Sequence, residues 1–179
     1  IVVLGCSTGG PIALQAILSS LPVDFPIPIV VVQHMAVGFT SGFVSWLQDF
    51  CALKLKVAVD GERLKAGTVY FAPDEKHCNI IDKSSLLVVS LTSEPADLFF
   101  RPSIDALFSS VAKSCPARAI GGLLTGMGHD GAQGLLEMRK NNCLTFVQDK
   151  KSCVIYGMPY YALSHGGAKK IVSLEKIAS

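Results

Sequence analysis

Hydrophobic positions along the chain fall into short runs separated by glycine and proline, and their spacing alternates between strand-like and helix-like. Ile1 to Leu4 is an apolar, largely β-branched run that meets Gly5-Cys6-Ser7-Thr8-Gly9-Gly10-Pro11, and Ile12 to Leu21 then has helical composition. The opening therefore reads strand, tight turn, helix. Pro26 and Pro28 punctuate the next loop, after which Ile29 to Gln33 predicts a second buried strand ending at His34. Phe39, Phe43, Trp46, Leu47 and Phe50 recur at helical spacing and make one apolar face, which is read as core. Leu53, Leu55, Val57 and Val59 alternate with Lys54, Lys56, Ala58 and Asp60, the period of a half-exposed strand towards an edge, and Asp60-Gly61 closes it with a turn.

Val69 to Ala72 is another short strand. Cys78 to Ile81, Asp82-Lys83-Ser84-Ser85 and Leu86 to Ser90 read as a hairpin, which would make part of the sheet antiparallel. Ser103 to Ser114 is a helix entered after Pro102, and Arg118 to Leu124 is a strand. Asp130 to Lys140 is a helix reached through Thr125-Gly126-Met127-Gly128-His129, a second unit of strand, glycine-rich turn and helix. Leu144 to Val147 is a further strand, and Pro159 opens a helix that Gly166-Gly167 closes. Strands alternating with helices imply right-handed crossovers. The predicted fold is α/β: a three-layer, doubly wound, mainly parallel sheet with an antiparallel hairpin, Rossmann-like, in one domain over 1–179. In such sheets ligands bind beyond the carboxyl ends of the strands, where strand order reverses.

Composition sharpens this picture. The chain has 179 residues, 50% of them hydrophobic, and that excess fits strands buried on both faces. The longest apolar stretch, from Phe25 towards Phe39, is broken by prolines, Gln33 and His34, so the mean hydropathy of +0.44 does not signal a membrane span. A net charge of +2 with scattered lysines and arginines is not the footprint of a nucleic-acid binder, and Lys150-Lys151 and Lys169-Lys170 read as solvated surface. The six cysteines show neither CxxC nor clustered metal spacing, and several sit in apolar runs, which points to a reducing, cytoplasmic setting. The sequence opens at Ile1 inside an apolar run, with no signal peptide, and reads as a piece of a longer protein.

Gly5-Cys6-Ser7-Thr8-Gly9 fits G-x-S-x-G, in which glycines permit a sharp strand-to-helix turn that lifts a serine hydroxyl clear of the sheet. The helix behind it offers free N–H groups and a positive dipole end suited to an oxyanion. A turn that merely needs glycine is the competing reading, and phosphate binding is disfavoured because no Walker lysine follows Gly10. A nucleophilic serine needs a base, and the histidines are His34, His77, His129 and His165. His34 ends the strand beside the first and is the favoured base; His77 and His165 suit structural roles, and His129 lies in the second glycine-rich turn. Two aspartates close parallel strands, Asp130 and Asp149, and pattern alone does not choose between them as the residue that orients the histidine. Asp130 also suits a helix N-cap. The order Ser, His, Asp differs from the Ser, Asp/Glu, His order of the α/β-hydrolases, so another serine hydrolase scaffold is expected.

These residues resemble the catalytic domain of the bacterial chemotaxis receptor methylesterase family, CheB. The matching motifs, in family order, are Gly5-Cys6-Ser7-Thr8-Gly9-Gly10-Pro11, Val32-Gln33-His34-Met35 with Phe39-Thr40, Val69-Tyr70-Phe71-Ala72-Pro73 with His77, Arg101-Pro102-Ser103-Ile104-Asp105, Leu124-Thr125-Gly126-Met127-Gly128-His129-Asp130-Gly131-Ala132, and Gly157-Met158-Pro159. The resemblance implies a protein-glutamate methylesterase that releases methanol from glutamate γ-methyl esters on the cytoplasmic helices of methyl-accepting chemotaxis receptors, with glutamine deamidation as a second reaction. It implies Ser7 as nucleophile, His34 as base then acid, Asp130 as the residue orienting His34, backbone N–H groups of Thr8 and Met127 for the oxyanion, and no metal or organic cofactor. Family members carry an N-terminal receiver domain, for which these residues leave no room. Ala36 stands where the family often has proline, and His129 occupies a position that varies. Two other readings remain: a catalytically silent receptor-binding module of the same fold, and a metal-dependent hydrolase using His34, His129 and Asp130, whose spacing matches no zinc set.

Overall fold

The computed structural model describes residues 1–94 and 99–179. Its main sheet has seven strands: β1 (Val2–Cys6), β2 (Ile29–Gln33), β3 (Lys54–Val57), β4 (Thr68–Phe71), β7 (Ile120–Leu123), β8 (Leu144–Gln148) and β9 (Lys170–Val172), in the order β3-β4-β2-β1-β7-β8-β9. Every pairing in it is parallel. Strand residues alternate between two separate cores. Val3, Val30, Val32 and Tyr70 point into one with α3 (Ile104–Ser114), α4 (Ala132–Lys140) and α5 (Met158–Ser164), while Leu4, Val31, Val69 and Phe71 point into the other with α1 (Gly10–Leu18) and α2 (Thr40–Gln48). That double burial accounts for the apolar excess of the sequence. All six cysteines are unpaired.

The hairpin, β5 (His77–Lys83) and β6 (Leu86–Thr92), departs from expectation: it forms its own two-stranded sheet and leaves the main one wholly parallel. It is held instead against α3, where Ser110 Oγ accepts from Ile80 N–H at 2.9 Å and Ser114 Oγ donates to Ile80 O at 2.8 Å. The short strand β9 and a 3-10 turn over Leu174–Lys176 carry no clear pattern in the sequence, because β9 is three residues long with Lys170 and Ile171 exposed. Helix α4 begins at Ala132, after Asp130, since Gly131 adopts the left-handed conformation at its cap.

Order along the sheet decides what meets what. Strand β1 is central, with β2 on one side and β7 on the other, and chain order reverses direction there. Loops leaving the carboxyl ends of β1, β2 and β7 therefore converge on one sheet edge.

Candidate active site

Ser7 follows β1 directly and turns into α1. Gly9 makes the turn possible: its φ of 84° lies in the left-handed region, and a Cβ there would approach Val154 Cβ to 2.6 Å. No side chain caps α1, so its first N–H groups stay unclaimed by one. The turn is braced from the neighbouring loop, where Ser7 N–H donates to Thr125 O at 3.0 Å and Thr125 Oγ1 donates to Thr8 O at 2.9 Å. The N–H groups of Thr8 and Met127 have no partner among the described residues. Cys6, beside Ser7 in sequence, is fully buried, and burial pushes its thiol far up, which leaves Ser7 as the available nucleophile in this turn.

His34 follows β2. In register, Cys6 pairs with Gln33, so Ser7 and His34 leave adjacent strands side by side. His34 N–H donates to Cys6 O at 2.9 Å. The Gln33 amide clamps both: Nε2 donates to Ser7 O at 3.0 Å and to His34 O at 2.7 Å. His34 Nε2 lies 2.8 Å from Asp130 Oδ2, with side chains 9% and 8% exposed. Its other nitrogen, Nδ1, is buried and has no partner among the described residues. The Ser7 hydroxyl likewise has none among them.

Asp130 is the most heavily engaged carboxylate among the described residues. Oδ2 also accepts from Ile104 N–H at 2.8 Å, and Oδ1 accepts from Ser103 Oγ at 2.9 Å and Asp105 N–H at 3.0 Å. Burial opposes its charge, yet the bonds from His34, Ile104 and Asp105 prevail and hold the carboxyl below its ordinary range. Asp130 is thus a helix cap as well as the partner of His34, but it caps α3 and not the helix that follows it in sequence. Ser103, the N-cap of α3, completes the end by accepting from Ala106 N–H at 3.3 Å. Asp105 sits just behind, its Oδ1 accepting from Gly134 N–H at 2.6 Å. Burial pushes Asp105 up to about 6; the bond from Gly134 opposes the rise and the charge of Asp130 adds to it.

The rival aspartate is elsewhere: Asp149 Oδ1 accepts from Ser152 N–H at 3.2 Å and from the Ser152 hydroxyl. Of the remaining histidines, His77 is buried and its Nδ1 accepts from Ser103 N–H at 3.2 Å; His165 stacks on Tyr161 at 4.0 Å. His129 is exposed, 5.3 Å from Tyr161 between ring centres, and among the described residues no three His, Cys, Asp or Glu side chains form a metal-binding group. Gln33, Thr125 and Ser103 lie in motifs of the sequence but had no role in the site assigned from it, and Phe100 was not singled out at all. Gln33 had a signal, a polar residue closing an otherwise apolar buried strand; Phe100 had none.

Around this edge the surface is apolar. Val37 beyond β2, Met127 beyond β7 and Val154 beyond β8 are all exposed, Met127 at 74%, and so are Phe39, Trp46 and Phe50, which their helical spacing assigns to the core. A cavity of about 130 Å³ beside Asp130 is lined by Phe99, Phe100, Ser103, Asp105 and His129, whereas a concavity of about 640 Å³ lies between β5 and α3, around Asn79, Lys113 and Gln133. The larger volume is a surface groove without Ser7 or His34, so the convergence of side chains, and not cavity size, marks the site.

The family model described as CheB methylesterase matches residues 2–179. The chain is 46% identical over 179 residues to a protein of Nitrosospira multiformis named protein-glutamate methylesterase/protein-glutamine glutaminase, covering 100% of this chain and 50% of that protein. It is 44% identical over 178 residues to a similarly named protein of Geobacter metallireducens, covering 99% and 51%. The chain spans about half the length of the curated relatives it matches. Among solved structures, the Thermotoga maritima CheB methylesterase catalytic domain superposes with a TM-score of 0.95 at 36% identity, over 99% of this chain and 94% of that one.

Proposed function

Because the chain belongs to the CheB methylesterase family, we propose that it hydrolyses glutamate γ-methyl esters on chemoreceptor proteins, with Ser7, His34 and Asp130 as a catalytic triad. The observation that carries the reading is the 2.8 Å contact between His34 and an anchored Asp130, on the sheet edge where Ser7 leaves β1. Asp130 engages Nε2, so neutral His34 carries its proton there and its free Nδ1 is the base. This reverses the use of the two ring nitrogens in the familiar serine protease triad.

Ser7 Oγ attacks the ester carbonyl carbon while its proton passes to His34 Nδ1. The oxyanion is held by the N–H groups of Thr8 and Met127, which have no partner among the described residues. The tetrahedral intermediate collapses, the C–O bond to the methoxy group breaks, and Nδ1–H supplies the proton that releases methanol. Water activated by the same nitrogen then cleaves the acyl-serine, leaving glutamate and restoring the hydroxyl. An amide follows the same course with ammonia as the leaving group, in keeping with the double name of the relatives.

A substrate carried on a protein suits the surroundings. Exposed Val37, Phe39, Met127 and Val154 border the edge from which Ser7 emerges, as expected where a protein surface docks. We place the reaction in the cytoplasm, on the receptors' cytoplasmic helices. Within the parent protein a receiver domain is the expected neighbour.

Methanol release from a methylated chemoreceptor is the test. The parent protein releases methanol, and Ser7→Ala lowers kcat by roughly four orders of magnitude or more. A Ser7→Ala protein as active as its parent would sink the proposal.

A further inference from the structure

Phe100 lies flat against His34, with ring centres 4.2 Å apart and planes within 14°. The imidazole is thus defined on three sides: Asp130 holds Nε2, Nδ1 is free among the described residues, and a phenyl ring covers one face. Phe99, itself 92% exposed, meets Phe100 edge-on at 4.8 Å. Three residues on, Ser103 donates to Asp130 Oδ1. One short segment therefore braces the carboxylate and lays a ring on the histidine that the carboxylate orients.

Resting on the triad reading, we propose that Phe100 is a positioning residue that stabilises His34 as its imidazolium, the form present between attack by Ser7 and departure of the leaving group. A neutral imidazole gains only packing from the stack, whereas a cation within about 6 Å of a ring centre is attracted by the negative face of the π system. The side chain of His34 is 9% exposed, so little water competes with that attraction. The cation exists only as the tetrahedral intermediate forms and collapses, so the gain is differential and acts on kcat more than on KM. The titratable groups around the ring pair are Asp130, bonded to His34, and Asp105 and His129, which line the adjoining cavity with Phe100.

Phe100→Leu keeps an apolar group over the imidazole and removes the π face; Phe100→Tyr retains both. With methylated chemoreceptor as substrate, Phe100→Leu is expected to lose roughly ten-fold in kcat with little change in KM, and Phe100→Tyr to stay within about three-fold of the parent. A second readout needs no substrate. In an NMR titration of the His34 ring, the midpoint moves to lower pH in Phe100→Leu, by roughly half to one unit, and returns in Phe100→Tyr. Parental kcat and midpoint in Phe100→Leu would overturn the proposal, as would equal losses in Leu and Tyr variants with unchanged melting temperatures. If Ser7→Ala instead keeps the parent's rate, the hydrolase reading falls while the titration still reads the Phe100–His34 pair. If Ser7→Ala is inactive and Phe100→Leu matches its parent in both readouts, only the role of Phe100 falls.

Discussion

Two turns of one design meet at the sheet edge. The turn after β1 and the turn after β7 each run from a central parallel strand through glycine into a helix, and each helix opens on a left-handed glycine, Gly9 with φ 84° and Gly131 with φ 90°. Their polar side chains do opposite work. Ser7 hydrogen bonds through its backbone, and its hydroxyl has no partner among the described residues. Asp130 binds four donors, two of them backbone N–H groups of a helix distant in sequence. One turn holds a side chain free for chemistry; the other makes its side chain part of the packing. On the proposed triad, function and stability are therefore separable at Ser7 and joined at Asp130.

Removing Asp130 probes that contrast most severely. Asp130→Ala is expected to lower kcat by about four orders of magnitude and to cost about 3 kcal/mol, which at this chain length is roughly 10 °C in Tm, because Ser103 and the first amides of α3 lose their acceptor. Ser7→Ala matches it in activity yet stays within about 0.5 kcal/mol of the parent in denaturant melts. Equal stability losses in the two variants would erase the distinction.

A smaller effect comes from acid titration. Asp130 has a folded pKa below its ordinary value, so it stabilises the fold above about pH 4, and that contribution is lost as pH falls through the folded value. Asp105 has the opposite sign. Its folded pKa of about 6 exceeds the ordinary 3.8, so the folded state binds more protons between these values and stability falls as pH rises across them. Asp105→Asn keeps an oxygen for Gly134 N–H and removes the titration; its unfolding free energy should exceed the parent's at pH 7.5 by an amount on the order of 2 kcal/mol, seen as a higher Tm, and converge with it at pH 4. A Tm difference that does not change with pH would refute this. The smallest effect belongs to the aspartate that resembles Asp130 only in sequence position. Asp149→Asn should leave methanol release within about two-fold of the parent, since its acceptor bonds stay within the local turn to Ser152.

What the sequence made legible follows the same division. Ile29–Gln33 is bounded as a strand by its apolar run and by the prolines before it, and Ser7 and His34 stand out because each ends such a run. Asp130 could be recognised as a cap, but the helix it caps begins 26 residues earlier, at Ile104, and no local pattern reports which helix end packs against a loop. The hairpin's pairing was legible and its separation from the main sheet was not, because its placement rests on partners distant in sequence, Ser110 and Ser114 of α3 bonding Ile80 and the backbone of Gly61 and Glu62 bonding Val89. Phe100 is one aromatic among many until the chain folds it over His34.

The central position of β1 has a further consequence. Ser7 and His34 belong to the segment before the hairpin, and Asp130, with the helix it caps, to the segment after it. The seam between those segments in the main sheet is the pairing of β1 with β7. Neither segment alone holds all three residues of the proposed triad, so on that reading turnover would report that the two have docked. Cut within the hairpin, the chain becomes a candidate for fragment complementation, with hydrolysis as its coincidence signal.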